Sequence, residues 1–227
     1  MTAQHAHQKA VIHRDLKPAN ILVVEVDGRP VPRIIDFGLA KLVAPEGAGE
    51  WPQTRAGSFL GTPGYMSLEQ SDPSMGDVDT RTDVYSLGVV LYELLTGTLP
   101  FNAEDWKRLS PDRLLQHQRE DDPLKPSARL AAMREGAGPI ADARSTEPAR
   151  LARTLRGDLD SIVMTAIEKD RDRRYAAPLA FASDLRRYLD NEPVVARPAG
   201  AGKCSCRVHH STPNTRSTFP GRPTMPP

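Results

Sequence analysis

Between residues 82 and 96 the apolar positions Val84, Leu87, Val89, Val90, Leu91, Leu94 and Leu95 cover nearly every face of a helical wheel. That pattern predicts a helix buried in a core. Gly97 is placed to end it, and Pro100 forbids continuation. A second stripe at helical spacing, Leu159, Ile162, Val163, Ala166 and Ile167, predicts a helix capped by Asp158. A last helix begins near Pro178, turns Phe181, Leu185, Tyr188 and Leu189 inward, and stops at Asn191. Residues 111–119 read as a short amphipathic helix opened by Pro111, and residues 1–9 as the end of a helix. Two β-rich runs, 21–24 and 33–35, flank the turn-like Asp27-Gly28 and predict a small hairpin that presents loop residues at its ends. Residues 44–64 are rich in Gly, Pro, Ser and Thr and read as an exposed loop. The charged stretch 120–153 yields no clear element, and the sequence holds no internal repeat.

Composition narrows the class. Hydrophobic residues at 39% and charged residues at 26% of 227 suit one soluble domain with a sizeable core and a tail. The net charge of +1 favours neither nucleic acid nor membrane as a partner, and no apolar run reaches the length of a membrane span. The charge is unevenly spread. No acidic residue follows Glu192, whereas Arg197, Lys203, Arg207, Arg216 and Arg222 do; without those five cations the +1 becomes −4. From Arg197 onward little remains to bury, so the tail reads as disordered. Both cysteines, Cys204 and Cys206, lie in it, two ligands short of a zinc site. A body without cysteine fits a reducing, cytoplasmic setting.

The chemistry sits early in the chain. His13-Arg14-Asp15-Leu16-Lys17-Pro18-Ala19-Asn20 matches H-R-D-L-x-x-x-N at every fixed position, and Asp36-Phe37-Gly38 follows after a hairpin-sized gap. With Gly61-Thr62-Pro63-Gly64-Tyr65-Met66 and Asp83-Val84-Tyr85-Ser86-Leu87-Gly88, these segments resemble the eukaryotic-like serine/threonine protein kinases of bacteria, from about Thr2 to Pro198. The resemblance implies an α+β, mostly helical fold: the C-terminal lobe of a protein kinase with a small β-hairpin, over residues 1–198, followed by a basic tail over 199–227. It also implies ATP and Mg²⁺ as cofactors, and proteins bearing Ser or Thr as substrates.

Phosphoryl transfer passes through a loose, charged transition state, so the protein's task is to position groups and neutralise charge. Asp15 can accept the proton of the incoming hydroxyl, and Lys17 can hold the γ-phosphate as a point charge. Asn20 and Asp36 offer the hard oxygens that Mg²⁺ prefers, and Gly38 permits the turn that aims Asp36 inward. By resemblance Arg14 pairs with a phosphorylated activation segment, with Thr54 or Ser58 as phosphosite. Thr62 matches the threonine that contacts the catalytic aspartate and lysine. Asp83 matches the buried aspartate bracing the catalytic loop, and Glu69 with Arg174 a structural ion pair.

Three family elements are not found among the 227 residues: the glycine-rich loop, the V-A-I-K lysine and its partner glutamate. Ala10 stands where the family favours glycine, and Ser67-Leu68-Glu69 replaces Ala/Ser-Pro-Glu. These departures lead to the expectation of a gene fragment without its N-terminal lobe, its reading frame altered near residue 199, and silent in phosphoryl transfer on its own. The alternative is a non-catalytic, kinase-like chain that only binds proteins.

Overall fold

The computed structural model describes residues 11–37, 63–101, 111–133 and 136–196. The expectations for residues 1–9, for residues 44–62 and for the tail from Arg197 lie outside these. In chain order come an antiparallel hairpin, β1 (Ile21–Val26) and β2 (Arg29–Ile34), then the helices α1 (Leu68–Ser71), α2 (Thr80–Thr96), α3 (Pro111–Glu120), α4 (Pro126–Ala132), α5 (Ala137–Asp142), α6 (Pro148–Leu155), α7 (Asp158–Ala166) and α8 (Pro178–Leu189). The described residues are therefore mostly helical, with one two-stranded sheet.

Helix α2 is the axis of the core. The Asp79 carboxylate accepts the Arg81 N–H at 2.8 Å to cap its start. Gly97, at φ 71°, returns its N–H to the Glu93 carbonyl to end it. Val84, Val89 and Tyr92 are fully buried, each apolar side chain contributing about 1.5–3 kcal/mol on removal from water. Two neighbours do much of that burying. Helix α7 brings Ile162, Val163 and Ala166 against α2, and α8 brings Phe181. Gly88 allows the close crossing: a Cβ there would lie 2.7 Å from the Ala166 Cβ. One face of α2 is open after all, since Leu94 is exposed.

Helix α7 buries the whole predicted stripe from Leu159 to Ile167. Its cap is Gly157, at φ 103°, and Asp158 is the first helical residue rather than the cap. Its carboxylate still suits the positive end of the helix. The unassigned stretch 120–153 holds α4, α5 and α6, whose Leu130, Ala137, Ala141, Leu151 and Leu155 join Leu159 in a second cluster. In α8 Phe181 is buried, but Leu189, expected inside, is exposed. Within α8 the buried Asp184 accepts three hydrogen bonds, from the Tyr175 hydroxyl at 2.8 Å and the Val195 and Ala196 amides at 2.6 and 2.9 Å. They hold the segment after the helix against it, with Val194 in the core.

The hairpin is longer than the apolar runs suggested, because β2 includes Pro30 and Pro32. Ile35 donates its N–H to the Asn20 carbonyl at 3.0 Å, so odd-numbered residues of this strand face β1. Both prolines fall on even positions, paired with Glu25 and Val23, where the missing N–H would point away from the partner. The ladder loses nothing.

Candidate active site

Helix α2 carries buried polar groups at Thr82, Asp83 and Ser86, each with a defined partner. Asp83 accepts the His13 N–H through Oδ2 and the Arg14 N–H through Oδ1, both at 2.9 Å. Ser86 donates to the Tyr65 carbonyl at 2.8 Å, and Thr82 donates to Glu69 Oε1 at 2.8 Å. One turn of the core helix thus fixes the loop before the hairpin and the segment leading into α1. Buried hydroxyls and carboxylates are tolerated when bonded in this way.

The loop 13–20 is held from its other side as well. His13 donates from Nε2 to the Ile35 carbonyl at 2.8 Å, because a carbonyl can only accept. Nδ1 is then the acceptor for the Asp15 N–H at 3.3 Å. The imidazole also packs on Phe37, ring centroids 4.8 Å apart. Arg14 adopts φ 65°, a conformation that costs a non-glycine residue about 1–2 kcal/mol. Its amide is held by Asp83, and its carbonyl accepts from Gln70 Nε2 at 2.6 Å.

Asp15, Lys17 and Asn20 come together at the end of this turn. Lys17 Nζ lies 3.0 Å from Asp15 Oδ2. Asn20 donates from Nδ2 to the Asp15 carbonyl at 2.8 Å and to Asp15 Oδ2 at 3.2 Å. That orientation leaves Asn20 Oδ1 as an acceptor with no hydrogen-bond partner among the described residues. Asp36 stands two residues past β2, exposed and at φ 54°. Since Asn20 is bonded to Ile35, Asp36 emerges beside Asn20 at the open end of the hairpin. Among the described residues it has no hydrogen bond or ion pair with Asp15, Lys17 or Asn20. Gly38, Thr54, Ser58 and Thr62 lie outside the described residues.

Glu69 and Arg174 are both buried and form a two-pronged pair, at 2.6 and 2.9 Å. Arg174 also donates from Nε to the Glu168 carbonyl at 2.7 Å and lies over the Tyr85 ring, 4.9 Å from its centre. Burial alone pushes the Glu69 carboxyl up, but the hydrogen bonds and charge of Arg174 outweigh it and hold the group below its ordinary value. Motif spacing did not reveal Gln70. Its position three residues after Ser67 signals only a capping box, and that box is formed.

The protein kinase domain matches residues 2–184, a span that includes every residue just described. Serine/threonine-protein kinase PknB of Mycobacterium tuberculosis is 38% identical over 193 residues, covering 84% of this chain and 25% of PknB. Serine/threonine-protein kinase Pkn1 of Myxococcus xanthus is 36% identical over 203 residues, covering 87% of this chain and 24% of Pkn1. The chain spans about a quarter of the length of these relatives. The crystal structure of the Mycobacterium tuberculosis PknI kinase domain aligns at a TM-score of 0.45 and 22% identity, over 80% of this chain and 48% of that one.

Proposed function

The chain belongs to the protein kinase family, and we propose that it supplies the hydroxyl-activating and metal-holding part of a serine/threonine protein kinase. The observation that carries this reading is the Asp15 carboxylate, held by Lys17 and Asn20 on a loop that Asp83 ties to the core. In the reaction, the oxygen of a protein Ser or Thr bonds to the γ-phosphorus of ATP while the bond to the β–γ bridging oxygen breaks and ADP departs. Asp15 receives the hydroxyl proton and orients the attacking oxygen. Lys17, beside it, is placed to pair with the transferring phosphate.

The donor chemistry suits Mg²⁺. Asn20 Oδ1 and the Asp36 carboxylate are hard oxygens at one end of the hairpin, and they would hold the cation. Among the described residues no three His, Cys, Asp or Glu side chains form a metal cluster. That fits an ion taking two protein oxygens and completing its shell with phosphate and water. Bound there, Mg²⁺ would neutralise phosphate charge. Arg14 and Thr62 are read as activation-segment contacts, with Thr54 as phosphosite and Gly38 as the turn that aims Asp36. Dependence on ATP argues for a cytoplasmic setting. Among the described residues no helix is long and apolar enough to cross a membrane.

No glycine-rich loop or V-A-I-K lysine is found among the 227 residues, so the roof over ATP has to come from elsewhere. With labelled ATP, Mg²⁺ and a generic Ser/Thr substrate, the chain alone is expected to give no measurable transfer. Joined to the N-terminal lobe of PknB it is expected to transfer phosphate, and Asp15→Ala to cut the rate by about 10²–10⁴-fold. A folded fusion without transfer overturns the kinase reading in favour of a chain that only binds proteins. Turnover by the chain alone, lost with Asp15→Ala, keeps the kinase reading and overturns the expected silence.

A further inference from the structure

We infer that Gln70 is a positioning residue of the catalytic loop, its amide nitrogen holding the Arg14 carbonyl and so fixing the turn that presents Asp15. The two residues are 56 apart in sequence, and the bond is short, 2.6 Å from Nε2 to the carbonyl oxygen. Arg14 is the residue at φ 65°, immediately before Asp15. A side chain with a Cβ leaves that conformation unless its surroundings over-determine it. Here the surroundings include Asp83 on the Arg14 amide and Gln70 on its carbonyl. Asp83 stands on the core helix, whereas Gln70 stands on α1 next to Glu69, which is locked to Arg174.

The chemistry of the site selects glutamine over glutamate. Through Oε1 Gln70 accepts from the Ser67 amide at 3.3 Å and the Ser67 hydroxyl at 3.4 Å, closing the capping box. A glutamate at the third position of a helix closes that box equally well. It has no N–H for the Arg14 carbonyl, and when ionised it sets acceptor against acceptor. The cap therefore explains half of the side chain, and the loop carbonyl explains the other half. The consequence for function is a mechanical link: a displacement of α1, at the end of the segment that begins at Asp36, is transmitted to the backbone next to the catalytic aspartate. This inference rests on the kinase reading for its meaning, but the bond itself is measured without turnover.

The measurement is site-resolved amide exchange on the full chain, comparing Arg14 and Asp15 with Val89 in α2 at each pH against the unaltered protein. Gln70→Glu keeps the cap and removes the donor. It is expected to lower protection at Arg14 and Asp15 by about tenfold near neutral pH while Val89 is unchanged. The deficit is expected to close as pH falls to about 4.5, where the introduced carboxyl gains a proton and can donate. Normal protection at neutral pH overturns the inference, as does a deficit independent of pH or one shared equally by Val89. Should Gln70→Glu not fold, Gln70→Leu is compared with Ser67→Ala, which takes the hydroxyl from the cap and from Thr82 but leaves the Gln70 amide facing the Arg14 carbonyl. A loss at Arg14 in the first but not the second supports the link, and equal losses overturn it. Phosphate transfer by the PknB fusion is scored separately, so the kinase reading and the Gln70 bond can fail independently.

Discussion

Asp83 serves two backbone donors with one side chain, and its replacement reveals how much the loop leans on it. Each carboxylate oxygen takes one backbone N–H, from His13 and from Arg14, in a fully buried position. Asp83→Asn keeps the shape but offers a single acceptor oxygen, so one buried amide is left facing an NH₂ group. The expected loss is about 1–3 kcal/mol, read as a lower denaturant midpoint. In the PknB fusion the same change should reduce turnover more than substrate binding, because Asp15 rides on the released turn. At this scale the motif spacing was informative about neighbours. Asp15, Lys17 and Asn20 are close in sequence and lie within one side chain's reach of each other. It could not disclose Gln70, since a partner 56 residues away leaves no periodic trace and its capping role already accounts for its type.

Helices and strands depend on a few positions. Gly88 sits where α2 and α7 touch, and a methyl group there would overlap Ala166 and Ile167, at 2.7 and 2.8 Å. Gly88→Ala is expected to destabilise by about 1–3 kcal/mol through separation of the two helices, lowering the melting temperature. The long, strongly periodic helices α2, α7 and α8 were legible because each repeats its apolar spacing over several turns. The three helices between 126 and 155 were not. They have 7, 6 and 8 residues, too few turns for a period to emerge, and their order comes from the shared cluster around Leu130 and Leu155. The extent of β2 was hidden by prolines that are harmful only when their face of the strand is paired.

Over the whole molecule, the Glu69–Arg174 pair joins segments 105 residues apart in the core. Removing one member strands a buried charge, so Arg174→Met is expected to cost about 3–5 kcal/mol in a chemical melt. The pair also sets a pH limit. The Glu69 carboxyl titrates below its ordinary 4.5 in the folded chain, so its contribution is complete above that value and fades as acid carries the pH down through the lowered one. Glu69→Gln, already neutral, should flatten that acid limb of a stability curve. A second clasp, Asp184, has a practical outcome. Because it gathers the Tyr175 hydroxyl and the Val195 and Ala196 amides, the stretch from α8 to Ala196 is an integral part of the folded body. A shortened version trimmed at Leu189 would empty the Val194 niche and leave the buried Asp184 only its Tyr175 partner, whereas one trimmed after Ala196 would leave the clasp whole.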